Sequence, residues 1–535
     1  MKGCVFLLFV VSVWTNIESY IVNPGPQYIP TQGSIWPKPA SVSTSNYFYS
    51  INPKNFNFVV KEWNCAILEK ALEDYKNIIV QQIPPINGTT SIIEDEYYLG
   101  EMTELYVDLN RTCEDGDYPP LNMDEEYVVG IQKDGYFNLT SESIWGILRG
   151  LESFSQLLYY SDQTILINCT IVWDRPRYSH RGFLLDTGRH FIPLDKIYQI
   201  ILGMSYNKLN VFHWHIVDDQ SFPFVSSKFP ELSSFGAYHP SLTYSPEDVA
   251  NVIEFARLRG IRVIPEFDTP GHTRSWGQSH PELLTSCDSV QTGAYGPIDP
   301  SKNTTYNFLE KFFEEIRDVF KDQFIHLGGD EVDYDCWELD RNISDFMSEN
   351  NITSYAKLEG YFIGKLLNIT DRLNFSSIVW EEVFNNGVDL PQETIVHIWR
   401  DWTGALWRDT MQEVTKAGKT ALLSACWYLD HLSSGGDWVS FYRCEPTDFT
   451  GTDEQKALIL GGEACMWAEV VDKTNVVQRV FPRASATAEK LWSPKEDNFD
   501  SDLTARRLEE HTCRMNRRNI PAQPPNGPGY CISSF

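Results

Sequence analysis

QFIHLGGDEVDYDCW, residues 323 to 337, runs from an apolar strand through two glycines onto a pair of carboxylates. Phe324, Ile325 and Leu327 supply the strand, Gly328 and Gly329 follow it, and Asp330 and Glu331 close it. Two carboxylates a few ångströms apart push their pKa values away from each other, so one stays ionised beside a protonated neighbour. Glycines, lacking Cβ atoms, let a bulky ligand approach the strand end. The chain has 73 Asp and Glu residues, and Asp124-Glu125, Asp453-Glu454 and Glu94-Asp95-Glu96 read as ordinary solvated acids. The apolar run and double glycine set Asp330 and Glu331 apart, because a charge beside such a run is seldom left without a task.

The same unit recurs along the chain from residue 181. Short apolar runs stand at 181–186 (RGFLLD), 209–215 (LNVFHWH), 261–267 (IRVIPEF), 323–329, 376–380 (SSIVW), 394–399 (TIVHIW), 420–425 (TALLSA) and 457–462 (ALILGG). Helical patterns lie between them. The clearest has Ser245 as N-cap, Pro246 at the first position, Val249, Val252, Ile253 and Ala256 at helical spacing, and Gly260 as the stop. Eight strands alternating with helices are the signature of an α/β fold of the (β/α)8 TIM-barrel kind, with its site at the carboxyl ends of the strands. Just past each strand stand Asp186; Asp218 and Asp219; Asp268 and His272; Asp330 and Glu331; Glu381; Arg400 and Asp401; Trp427, Tyr428 and Asp430; and Glu463, Trp467 and Glu469.

Ahead of the barrel, residues about 55 to 165 mix strands and helices and read as a small α+β domain without chemistry of its own. A helix is expected around 63–80, a strand at 103–109, a hairpin through Lys133-Asp134-Gly135 and a helix over 142–160. The boundaries expected are 1–20 for a signal peptide, 21–175 for the small domain and 176–535 for the barrel. The leader is read from MKGCVFLLFVVSVW, whose apolar run has the length of a signal-peptide core and is too short to span a bilayer. No later run is long and apolar enough for a membrane span.

Nine N-x-S/T sequons, at Asn87, Asn110, Asn138, Asn168, Asn303, Asn342, Asn351, Asn368 and Asn374, point the same way, to a glycosylated lumenal or secreted protein. Ten of the eleven cysteines follow the leader, and in an oxidising compartment pairing is the default. Locality suggests Cys65 with Cys113, Cys287 with Cys336 and Cys513 with Cys531, with Cys426 and Cys444 a candidate fourth pair and Cys169 and Cys465 left free; sequence alone does not fix the connectivity. A net charge of -29 argues against nucleic acid and anionic membrane surfaces and fits an acidic lumen.

The rim mixes these carboxylates with Trp214, Trp276, Trp380, Trp399, Trp427, Tyr428 and Trp467. Aromatic faces stack on the C–H faces of sugar rings while carboxylates and Arg take the hydroxyls, so the mixture suggests carbohydrate. Trp214 and Trp276 read equally well as barrel core. A rival reading takes His213 and His215, Asp218 and Asp219, with His272, His326 and His397, as a divalent metal site of the amidohydrolase kind. Against it, His326 and His397 lie inside apolar runs and read as satisfied core histidines.

The order of blocks HRGFLLDTGRHF (180–191), NKLNVFHWHIVDDQSFPF (207–224), IPEFDTPGHTRSW (264–276), HLGGDEV (326–332), VWEEVF (379–384), WYLD (427–430), GGEACMWAE (461–469) and PRASATAEKLW (482–492) resembles family 20 glycoside hydrolases of the lysosomal β-N-acetylhexosaminidase kind. The resemblance covers nearly the whole chain. It implies a small α/β domain before a catalytic barrel, and retaining exo-hydrolysis of terminal β-linked N-acetylglucosamine or N-acetylgalactosamine, from glycoconjugates or chitooligosaccharides, without metal or cofactor. In that family the substrate's own acetamido group is the nucleophile. Glu331 then matches the general acid, Asp330 the carboxylate that orients the acetamido N–H, and Tyr428 the phenol bonded to the acetamido oxygen. Trp380, Trp399 and Trp467 match the walls of the acetamido pocket, Arg181 and Glu469 the hydroxyl ligands, and Asp430 the contact to the 6-hydroxyl. Asp218 and His272 match partners standing behind the acid.

The resemblance further implies a homodimer, in the lysosomal lumen or secreted. Where the subunit type that accepts sulfated sugars carries Asn-Arg, this chain has Asp430-His431, and an Asp would repel a sulfate; in this it is beta-subunit-like. Its loop 287–297 also lacks that type's ganglioside-associated insertion. Cys426 and Cys444 stand where the mammalian subunits have other residues, which favours their pairing. The alternative of another class is a catalytically silent sugar-binding receptor on the same fold.

Overall fold

The apolar runs read from the sequence close into one parallel barrel: β1 (His180–Asp186), β2 (Val211–His215), β3 (Arg262–Glu266), β4 (Phe324–His326), β5 (Ser376–Trp380), β6 (Ile395–Ile398), β7 (Ala421–Leu423) and β8 (Ile459–Met466). Each strand pairs with the next, and β8 closes on β1 with Glu463 beside Gly182. This computed structural model describes residues 27–81, 95–161, 164–287, 294–401, 406–431, 436–495 and 499–531. The expected leader and the Asn87 sequon lie outside the described residues. Helices cross between the strands, among them Leu194–Tyr206, Pro246–Arg257, Asn303–Val319 and Tyr355–Arg372. The second forms as its sequence dictates, with a capping box between Ser245 and Asp248 and Pro246 in the first turn.

Two strand ends differ from expectation. β4 stops at His326, because Gly328 and Gly329 take positive φ angles of 72° and 95°. β8 runs on to Met466, so Glu463 lies within the strand and faces the barrel interior rather than the rim.

The interior is layered, as alternate strand residues point inward. Val211, Ile264, Phe324, Ile378, Ile395 and Leu422 plug the amino end. Above them sit His180, His213, His326, His397, Glu266 and Glu463, all buried. The top layer is Leu184, Trp380, Cys465 and Trp467, with Trp399 and Tyr428 packed on it.

The preceding sheet orders its strands Asn57–Val60, Glu104–Leu109, Phe137–Ser141, Tyr127–Ile131, Thr164–Asp174, Ser41–Ile51 and Tyr98–Glu101. Helices Ala66–Gln81 and Ile144–Leu157 pack on it. The second helix is buried along its whole length because it is wedged against the barrel: Arg149 donates to the carbonyls of Arg259 and Gly260, and Arg518 pairs with Glu152 at 2.8 Å. The lead-in segment crosses to the barrel side, with Trp36 in the barrel's core and Gly33 bonded to Glu510.

All four cysteine pairs named above are disulfides, and Cys169 and Cys465 are free and buried. Asn110, Asn303, Asn342, Asn351, Asn368 and Asn374 are exposed, whereas Asn138 and Asn168 sit half-buried in strands of the first sheet. No helix among the described residues is long and apolar enough to cross a membrane.

Candidate active site

The end of β4 is a sharp turn: after Gly328 and Gly329, Glu331 also has a positive φ, of 50°. A Cβ on Gly328 would stand 1.7 Å from Asp268 Oδ1, and one on Gly329 would stand 2.4 Å from a Val383 methyl. The glycines are therefore required by backbone conformation and by neighbouring side chains, not by room for a ligand. The turn sends the two carboxylates to different environments. The Asp330 side chain is 11% exposed, while that of Glu331 is 56% exposed and lines a cavity of about 280 Å³ with Tyr334, Glu359, Glu382, Trp399 and Arg400.

His272, itself at φ 54°, places Nε2 3.7 Å from both Asp330 and Glu331 and Nδ1 3.3 Å from Asp218. Burial disfavours its charged ring, yet Asp330 and Asp218 lift it to about 9. A third carboxyl joins the pair read from the sequence. Asp268, whose Oδ1 accepts from Gly329 N–H at 2.9 Å, is pushed well above the usual carboxylate range by burial and then by the Asp330 charge. The acid pushed toward its protonated form is thus Asp268, which stands beside Asp330.

Around this turn the top layer makes an aromatic pocket. Trp380 donates its indole N–H to Glu266 at 2.8 Å, and Trp399 donates to Glu382 at 2.9 Å. Tyr428 stacks on Trp399 with 6.1 Å between centroids, and burial pushes its phenol well above the ordinary value. Asp430 is raised to about 6 by burial, and Glu469 is exposed at the lip. Burial likewise raises Glu382 to about 8, with the Asp330 charge adding to it.

Arg181 does not reach this pocket. It is fully buried on the outer face of β1, where it donates to Glu125 at 2.6 and 2.8 Å and to the carbonyls of Tyr178 and Lys208. Glu125, read above as a solvated acid, is therefore a buried anion held by Arg181 and Arg149 at the seam between sheet and barrel. A cation that does reach the rim is Arg189, eight residues on. It lies over the Trp467 ring at 5.0 Å, pairs with Asp218 at 3.0 Å, and feels the charges of Glu469 and Asp330.

Three aromatics of the expected rim are core. Trp214 donates to Thr187, Trp276 packs against Phe222 and Phe312, and Trp427 donates to the Phe441 carbonyl from inside the outer core.

The histidines of the rival reading stand among buried carboxylates. His215 faces Asp218 with Nε2 at 2.7 Å and Glu266 with Nδ1 at 2.6 Å, and His213 faces Glu266 with Nε2 at 3.2 Å and Glu463 with Nδ1 at 2.7 Å. His215, bonded through both nitrogens, has no lone pair for an ion, whereas His213 Nε2 has no hydrogen-bond partner. His326 has Nδ1 3.0 Å from Glu266, while Nε2 has no partner. His397 is a core histidine but an unsatisfied one, stacked at 4.3 Å on Trp380 with neither nitrogen hydrogen-bonded.

The sequence profile described as "Glycosyl hydrolase family 20, catalytic domain" matches residues 178–495, and that described as "beta-acetyl hexosaminidase like" matches residues 35–157. The chain is 44% identical over 543 residues to human "Beta-hexosaminidase subunit beta", covering 98% of this chain and 93% of that one. It is 44% identical over 514 residues to rat "Beta-hexosaminidase subunit alpha", covering 94% and 96%. Its fold matches a Flavobacterium johnsoniae chitobiase with a TM-score of 0.78 at 27% identity, over 91% of this chain and 73% of that one. The chain belongs to glycosyl hydrolase family 20.

Proposed function

We propose that this enzyme of the secretory pathway removes terminal β-linked N-acetylglucosamine or N-acetylgalactosamine from the non-reducing end of glycans, with the substrate's acetamido group as nucleophile. The observation that carries the reading is the pairing at one turn of a sheltered carboxylate, Asp330, with an open one, Glu331, beside the aromatic cluster of Trp380, Trp399, Trp467 and Tyr428. Trp380, Trp399 and Trp467 enclose the acetamido methyl. Tyr428 donates to the acetamido oxygen, and Asp330 accepts from its N–H.

The acetamido oxygen attacks the anomeric carbon as the glycosidic C–O bond breaks, and the leaving oxygen takes the proton of Glu331. The Asp330 charge stabilises the resulting oxazolinium ring. Glu331, now a carboxylate, deprotonates a water that adds to the anomeric carbon, which reopens the ring and retains configuration. No protein nucleophile is required, in keeping with two carboxylates adjacent in sequence. The cavity lined by Glu331 takes the leaving group. Arg189 and Glu469 hold ring hydroxyls, and Asp430 takes the 6-hydroxyl; a carboxyl there disfavours 6-sulfated sugars. We further propose a homodimer, a reading supported by relatives that are named as subunits.

The test is hydrolysis of β-N-acetylglucosaminides by wild type and Glu331→Gln, with and without chelator. Turnover should survive chelator and should collapse in the variant for poor leaving groups far more than for dinitrophenol, which needs no proton. A wild type that binds the sugar and never cleaves it would make the chain a receptor instead.

A further inference from the structure

The buried polar layer of the barrel forms a single file. His180 Nε2 meets Glu463 Oε1 at 2.6 Å, and Glu463 Oε2 meets His213 Nδ1 at 2.7 Å. His213 Nε2 lies 3.2 Å from Glu266, Glu266 meets His215 Nδ1 at 2.6 Å, and His215 Nε2 meets Asp218 at 2.7 Å. Asp218 faces His272 at 3.3 Å, and His272 stands 3.7 Å from both Asp330 and Glu331. Carboxylate and imidazole alternate from the barrel floor to the reacting carboxylates.

We propose that His215, Glu266, His213 and Glu463 are positioning residues for this reaction, a buried chain of alternating charge that acts through Asp218 and His272 to set the proton states of Asp330 and Glu331. The chain is built for charge. His215 bonds a carboxylate through each nitrogen, which only the doubly protonated ring satisfies, while His213 bonds Glu463 through Nδ1 and holds Nε2 3.2 Å from Glu266 without a hydrogen bond. Every member but His272 is at most 1% exposed, so each charge acts through low dielectric. Burial works against these cations, but Glu463 and Glu266 lift His213 to about 9, and Glu266 and Asp218 lift His215 to about 10. Glu266 also accepts from Trp380, so the same anion ties the chain to the pocket floor.

Other charged and titratable groups face the file without breaking it. The His326 and His397 rings lie 4.7 and 6.2 Å from that of His213, and burial keeps both below the ordinary histidine value. Arg262 opposes protonation of His180 at the floor. Arg189 shares Asp218, and Asp268 lies beside Asp330 and within reach of the Glu266 charge. Alternation makes the sign of each perturbation definite: deleting a cation raises the pKa of the reacting carboxylates, and deleting an anion lowers it.

The proposal rests on Asp330 and Glu331 as the reacting groups, and the experiment has two independent parts. In the first, the pH profile of kcat is measured for His213→Gln, Glu463→Gln and the double variant, none of which touches substrate. The first should move the profile up and the second down, each on the order of half a pH unit, and the charge-neutral double variant should return to the wild-type profile. Shifts of one sign, or none, would overturn the proposal, because a loss of packing lowers kcat without moving opposite limbs. In the second, 15N NMR of histidine-labelled wild type reads protonation directly and needs neither variant folding nor turnover. His213 and His215 should keep both ring protons at pH 8, and neutral rings at pH 7 would overturn the proposal whatever the enzyme's substrate.

Discussion

Arg181 and Arg189 sit eight residues apart in one block, and the structure gives them separate tasks that one pair of substitutions distinguishes. In Arg181→Met the buried guanidinium is lost from Glu125, as are its bonds to the Tyr178 and Lys208 carbonyls at 2.7 and 2.9 Å. Burial pushes the Glu125 carboxyl up, but Arg181 and Arg149 overcome it and hold the group below the usual range. Breaking a buried pair costs about 3 to 5 kcal/mol. Arg149, 2.7 Å from Glu125, keeps half of the partnership, so the loss should fall near 3 kcal/mol. It should appear in the urea or thermal unfolding of purified protein, with kcat/KM on a chromogenic β-N-acetylglucosaminide unchanged at a temperature where the variant is folded.

Arg189→Met should lose kcat/KM, together with stability, because it also leaves buried Asp186 and Asp218 without their guanidinium. Charged hydrogen bonds to ring hydroxyls contribute about 1.5 to 3 kcal/mol each, which is on the order of a hundredfold in kcat/KM. The reasoning is refuted if Arg181→Met keeps its unfolding midpoint while losing kcat/KM, or if Arg189→Met turns over like wild type.

Stability should have both an acid and an alkaline limb. His213, His215 and His272 stand at about 9, 10 and 9 against an ordinary 6.5, so their contribution is complete below about 6.5 and is lost as pH rises through 9 to 10. Glu266 and Glu463 lie well below the ordinary 4.5, so theirs is present above that value and is lost as pH falls further. Unfolding midpoints should fall as pH rises from 6.5 to 10, and a flat profile over that range would contradict the protonated core. Gly329→Ala should abolish turnover, since a Cβ there meets a Val383 methyl at 2.4 Å and φ is 95°. Adding Val383→Ala relieves the contact but not the backbone strain, so kcat should stay low in the double variant.

How far sequence alone carries is seen in strand parity. In β1, His180, Leu184 and Asp186 face inward, while Phe183 and Leu185 join the outer core. Arg181 lies an odd number of residues from the rim's Asp186, so the strict two-residue period already places it outside. Trp214, between His213 and His215, is excluded from the site by the same count. Arg189 follows the strand, where no period applies, and only the fold brings it over Trp467. Glu125 was illegible for a related reason: its partners Arg149 and Arg181 come from a helix and a strand remote from it in the chain.

The double glycines show where local reading ends. Gly328-Gly329 and Gly461-Gly462 each follow an apolar run and each read as a strand end, yet only the first pair is one. At Gly328 and Gly329 the positive φ angles turn the chain out of the sheet. At Gly461 a Cβ would stand 1.8 Å from the His180 carbonyl, and at Gly462 another would stand 2.0 Å from that of Leu423. Those glycines let β8 approach β1 on one side and β7 on the other, and so close the barrel. The strand then continues to Met466 and carries Glu463 into the interior, where its two oxygens hold His180 and His213. The partners that decide between a turn and a close approach lie 281 and 39 residues away, beyond any window of sequence periodicity. Placing Glu463 at the rim thus read a tertiary contact as a local one, and it hid the buried file of carboxylates and imidazoles that leads to His272.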